Sequence, residues 1–123
     1  ALNASTNQRN TALGYHAGRV MTGGDNNTVL GYESGLAILG GHNNTFVGRS
    51  AGLAVNSGNY NTLVGVGAGD NITSGDSNII IGQGVDAASA TADSQLNIGG
   101  WIVGSAGQIT MPAQPAFSVN PAS

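Results

Sequence analysis

Asn10-Thr11-Ala12-Leu13-Gly14 decides the fold, because it returns every 17 residues. It recurs as Asn27-Thr28-Val29-Leu30-Gly31, Asn44-Thr45-Phe46-Val47-Gly48 and Asn61-Thr62-Leu63-Val64-Gly65. Two further copies follow, Asn78-Ile79-Ile80-Ile81-Gly82 and the decayed Gln95-Leu96-Asn97-Ile98-Gly99. The starts at 10, 27, 44, 61, 78 and 95 admit no insertion. A second glycine column holds Gly18, Gly35, Gly52 and Gly69, then Asp86; a third holds Gly24, Gly41, Gly58 and Gly75, then Ala92. A strict period of this kind marks a solenoid, in which each repeat buries its apolar side chains against the next.

The unit is too short for a helix pair, which takes about 33 residues in known helical repeats. Its β-branched and aliphatic triplets, bounded by Gly and Asn, read as short strands and turns. The pattern therefore predicts an all-β, parallel β-solenoid or β-roll of about six 17-residue coils. Each coil is expected to carry one strand at Thr11–Leu13 and a second at Arg19–Thr22, with turns at Gly14–Gly18 and Gly23–Asn26. The turn glycines Gly14, Gly31, Gly48, Gly65, Gly82 and Gly99 suit backbone conformations that strain other residues. Asn10, Asn27, Asn44, Asn61 and Asn78 are expected to stack as an amide ladder. At roughly 4.7 Å per coil, six coils make a rod about 28 Å tall. Residues 1–9 read as the end of a preceding coil, 10–111 as the six-copy repeat domain and 112–123 as an extended arm or linker containing Pro112, Pro115 and Pro121.

Composition narrows the function. The 123 residues include 21 Gly and 14 Asn but only 6 acids, 3 Arg and no Lys or Cys. With a net charge of −3 there is no basic patch, so nucleic-acid binding is not expected. The absence of Cys removes disulfides and thiolate metal sites. The longest aliphatic run, Ile79-Ile80-Ile81, is far too short to span a bilayer, and Ala1-Leu2-Asn3 opens without a basic leader and apolar block.

Side chains alternate across a strand. The column Leu13, Leu30, Val47, Val64, Ile81 and Ile98 is assigned to the core. The neighbouring column Ala12, Val29, Phe46, Leu63 and Ile80 then faces outward, although it is equally apolar. A narrow coil covers one face only, so the other is expected to be buried by further copies of the chain around a common axis. The alternative is a wider monomeric β-helix with both columns inside.

Copies of Asn-Thr-x-Leu-Gly-x-x-Ala-Gly, closing on Leu96-Asn97-Ile98-Gly99-Gly100-Trp101, resemble repeats in phage tail fibres and related virion appendages. They are also similar to the YadA-like head repeats of trimeric autotransporter adhesins, whose period is shorter. The segment Gly107-Gln108-Ile109-Thr110-Met111-Pro112-Ala113-Gln114-Pro115-Ala116-Phe117 resembles the junction to a distal domain in such fibres. The resemblance implies a homotrimer, intertwined or side by side. It also implies a virion-tail or otherwise extracellular, cell-surface location, and partners among other appendage proteins and cell-surface glycans. The function expected from it is a structural shaft or connector supporting host attachment. An adhesin head binding host matrix or glycan is the alternative, and an ice-binding solenoid built on Thr11, Thr28, Thr45 and Thr62 a second. Lacking a closing element at either end, the repeat reads as a segment of a longer polypeptide.

No catalytic or metal residues and no cofactor are expected. Asp25, Asp76 and Asp93 share one turn column with His42 and Asn59, as a stacked left-handed turn would select, and His16 and His42 read as surface residues without partners at metal spacing. Trp101 is assigned as a lid over the last coil, with a sugar-stacking platform as the alternative. Tyr15, Tyr32 and Arg49 share a column and form the candidate contact strip for glycan or protein.

Overall fold

The computed structural model describes residues 9–111. It is an all-β solenoid with a single sheet of eight strands in chain order. Strands β1 (Thr11–Leu13), β2 (Thr28–Leu30), β3 (Thr45–Val47), β4 (Thr62–Val64) and β5 (Ile79–Ile81) are the five intact repeat motifs. They are followed by β6 (Gln95–Ile98), β7 (Ile102–Ser105) and β8 (Gln108–Thr110). From β1 to β6 the strands are parallel and in register, Thr11 against Thr28, Thr28 against Thr45, and so to Ile79 against Leu96. Each pairing joins a residue to its counterpart 17 positions on, so coil follows coil without slippage.

The interior is the reverse of the sequence assignment. Val29, Phe46, Leu63 and Ile80 are fully buried, whereas Leu13 is 67% exposed and Leu30 41%. The Leu13, Leu30, Val47, Val64, Ile81, Ile98 column is thus the outer face of the sheet, and the Ala12 column is the core. The reason is parity. Asn27, Asn44, Asn61 and Asn78 are buried, and residues two apart on a strand share a face. Placing Asn44 inside puts Phe46 inside and Thr45 and Val47 outside. A wider coil with both columns inside is excluded as well.

No second strand forms at Arg19–Thr22. That side of the coil is a succession of tight turns, in which Ala17, Arg19 and Met21 donate their N–H groups to the carbonyls of Gly14, His16 and Gly18, each at 3.2 Å. Left-handed residues at His16 (φ 58°) and Gly18 (φ 58°) break the extended backbone that a strand requires. Coil-to-coil bonding persists nonetheless, with Val20 N–H donating to Leu36 O at 2.8 Å. The turns bury two more columns, Ala17-Ser34-Ala51-Ala68 and Met21-Ile38-Val55-Ile72, which complete the core with Phe46 and its neighbours.

The glycine columns serve different ends. Gly31 has φ +133°, and a Cβ there would stand 2.6 Å from Gly48 O in the next coil, so both conformation and close approach exclude a side chain. Gly41 has no positive φ; a Cβ there would meet the Gly58 carbonyl and the Asn44 amide. Gly99 departs from its column, with φ +59° and open space around it.

The sixth copy contributes a strand but no coil. After β6 the chain reverses, and β7 and β8 pair antiparallel, Ile98 opposite Ile102 and Gly104 opposite Ile109. Five coils are therefore complete among the described residues. Trp101 is not a lid: it lies in the β6–β7 turn, 77% exposed, its N–H donating to Ile98 O at 2.9 Å. The stack is closed instead by Gln95, whose side chain accepts from Ser89 N–H and donates to Ala92 O and Asn78 Oδ1. Asn97 takes the place of Ile80 in the core column and donates to Asp86 O at 2.8 Å. The expected preceding coil, apart from Arg9, and the arm at 112–123 lie outside the described residues.

Candidate functional site

The amide ladder is what orients every other side chain. Asn44 Oδ1 accepts the Asn61 N–H (2.9 Å), and Asn44 Nδ2 donates to Gly58 O (2.8 Å). Asn27, with Asn44 N–H and Gly41 O, and Asn61, with Asn78 N–H and Gly75 O, repeat the arrangement, and Asn10 bonds Asn27 N–H and Gly24 O. Buried amides with both ends satisfied are stable in an apolar interior, and they turn the alternate residues of each strand to solvent.

The surface thus presented is the candidate site. It consists of two ranks on one sheet face. One rank is Leu13, Leu30, Val47, Val64, Ile81 and Ile98, and it continues through Ile102, which pairs with Ile98. The other is Thr11, Thr28, Thr45 and Thr62, then Ile79 and Leu96, and it continues past Gly104 to Ile109. Directly paired residues point to the same side of a sheet, so the apolar rank is unbroken over seven strands. No charged residue occurs in either rank. Repetition of the unit accounts for the first six positions. It does not account for Ile102, which lies on an antiparallel strand outside the repeat.

Beside this face runs the predicted strip. Tyr15 and Tyr32 are exposed and stacked, ring centroids 5.5 Å apart at an interplanar angle of 17°. Arg49 is exposed in the same column one coil on. Next to the pair, His16 Nδ1 and Glu33 Oε1 are 3.8 Å apart, an ion pair when the imidazole is protonated. The Glu33 carboxylate, aided by burial, raises the Tyr32 hydroxyl above its ordinary 10.0, with Arg49 opposing. The structure brings the three strip residues into one column, as expected, and adds His16 and Glu33 to them.

A second ladder escaped the sequence reading. Asp25 N–H donates to His42 Nδ1 (3.0 Å), His42 N–H to Asn59 Oδ1 (2.9 Å), Asn59 N–H to Asp76 Oδ1 (2.7 Å) and Asp76 N–H to Asp93 Oδ1 (2.8 Å). This column is not the left-handed one; that conformation falls on the next residue, at Asn26, Asn43, Tyr60, Ser77 and Ser94. Its acceptor side chains are chosen to cap backbone N–H groups. His42 is thereby a rung of the ladder rather than a bystander on the surface. The signal was the column itself: Asp, His, Asn, Asp, Asp all carry an acceptor near the backbone.

Asp86 occupies a glycine column beside Asp70. Loss of solvent around its carboxyl, and then the neighbouring Asp70 carboxylate hydrogen-bonded to it, raise Asp86 above its ordinary 3.8. Among the described residues no three His, Cys, Asp or Glu side chains converge as metal ligands would, and no helix is long and apolar enough to cross a membrane. Comparison of the chain with family models, curated proteins and solved structures finds no match.

Proposed function

We propose that this chain is a structural shaft or connector segment of a homotrimeric phage tail fibre or spike, supporting host attachment by holding copies in parallel around a common axis. The observation that carries the reading is the outward apolar rank from Leu13 to Ile102. Its occupant is another copy of the same chain. An uncharged face offers nothing to steer a charged partner, and a rank that repeats once per coil meets its own image in register along its whole length. Burying it removes an apolar stripe from water. Interlocked coils of this kind resist bending, so the work of the segment is mechanical, and the resemblance to phage and adhesin repeats stated above agrees with it.

Sedimentation equilibrium of the chain tests this: a mass three times the 12.1 kDa of one chain is expected, and a stable monomer at high concentration overturns it. The adhesin reading is favoured by the stacked Tyr15–Tyr32 pair, which borders the face rather than lying in it. Binding of a host glycan that Tyr15→Ala and Tyr32→Ala abolish would support it. The ice-binding reading uses the Thr11, Thr28, Thr45, Thr62 rank, which the trimer would cover; thermal hysteresis in a monomeric preparation would replace the shaft with it.

A further inference from the structure

We infer that association along this face is graded, and that the last coil with the antiparallel hairpin is the lock that holds the copies together. This rests on the proposed self-association and adds where its strength lies. In the first four coils one outward rank is apolar and the other is Thr11, Thr28, Thr45 and Thr62. On β5 and β6 both are apolar, Ile79 with Ile81 and Leu96 with Ile98; β7 then adds Ile102 beside Gly104, and β8 adds Ile109. The interior changes in the opposite sense one strand later: Ile80 of β5 is fully buried, and Asn97 of β6 replaces the aliphatic residue of the core column. On β6 the pattern of the repeat is thus exchanged, with polar Asn97 turned inward and Leu96 and Ile98 turned outward. Copying of the repeat cannot produce that exchange, since it departs from the repeat on both faces.

The energetic consequence follows from what each residue loses on contact. A threonine hydroxyl buried against a second sheet must find a partner or forfeit its hydration. Isoleucine and leucine at the same positions lose only unfavourable exposure. Contact between copies is therefore tightest from Ile79 to Ile109 and loosest near Thr11, and assembly sets its register at the C-terminal end and closes toward Asn10.

Two paired variants of the full chain test the gradient by sedimentation over a range of concentrations. Threonine is the substituent because the same sheet face already carries it in four coils, and circular dichroism verifies that each variant is folded. Ile79→Thr with Leu96→Thr is expected to raise the concentration at which the oligomer half-dissociates at least tenfold. Leu13→Thr with Leu30→Thr is expected to raise it less than threefold. An oligomer weakened equally at both ends, or more at the N-terminal end, overturns the gradient and leaves self-association standing. A wild-type chain that never associates overturns both.

Discussion

Asn44 and Asn61 are joined across two coils: the Asn44 side-chain oxygen accepts the Asn61 backbone N–H at 2.9 Å, and both residues are fully buried. The same Asn44 amide donates to Gly58 O. Asn44→Ala strips partners from a buried N–H and a buried carbonyl at once. A buried polar group left unpaired costs roughly 1–3 kcal/mol, so a loss of about 3 kcal/mol is expected in urea unfolding, and a loss under about 1 kcal/mol would show that water replaces the amide.

Phe46→Ala and Leu30→Thr separate the two faces of the sheet. The first removes a fully buried ring and is expected to cost about 3–5 kcal/mol. The second alters an outward residue and is expected to change monomer stability by no more than about 0.5 kcal/mol. Equal losses, measured at a concentration where the chain is monomeric, would return the Leu13 column to the core.

Gly31→Ala and Gly84→Ala distinguish close approach from conformation. Both glycines have positive φ, but a Cβ at Gly84 meets nothing within 4 Å, whereas at Gly31 it collides with Gly48 O. Thermal unfolding should show a cost of about 1–2 kcal/mol for Gly84→Ala, from conformation alone, and a clearly larger cost for Gly31→Ala.

His42 accepts a hydrogen bond at Nδ1 from the Asp25 N–H, which requires the tautomer protonated at Nε2. Nitrogen-15 correlation spectra of the imidazole should show that tautomer at neutral pH. His42→Asn should keep the rung, since the Asn59 side chain accepts the His42 N–H in the same place one coil on, while His42→Ala should lose about 1 kcal/mol.

Asp86 is expected to make stability fall as pH rises. Its folded-state value is raised above the ordinary 3.8, so between the two values the folded chain holds more protons than the unfolded one, and unfolding free energy declines through that window. Below 3.8 the advantage is complete; above the raised folded-state value it is gone. Asp86→Asn should flatten this part of the profile and match or exceed the wild type in melting temperature at pH 7. A wild type whose stability rises through the window would contradict the sign.

Much of the molecule was legible in Asn10 to Gly14 and its copies. The period set the coil, the in-register pairing and the asparagine ladder, because a side chain repeated at fixed spacing in a parallel stack meets itself. The Tyr15–Tyr32 column followed from the same counting. The end of the stack was less legible: Gln95 and Asn97 looked like decay of the repeat, yet they cap the ladder and core, while Trp101 drew attention by size and lies in solvent.

The sequence by itself determined that there would be a solenoid of 17-residue coils with one apolar face too many. Which face went inside was decided only in three dimensions. Ala12–Leu13 through Ile80–Ile81 are apolar on both sides of the strand, so hydrophobicity is indifferent between the two parities. The balance is tipped by Asn44 and its counterparts, whose amides reach carbonyls such as Gly58 O, 14 residues away along the chain. Satisfying those buried bonds holds asparagine and phenylalanine in and turns leucine and valine out.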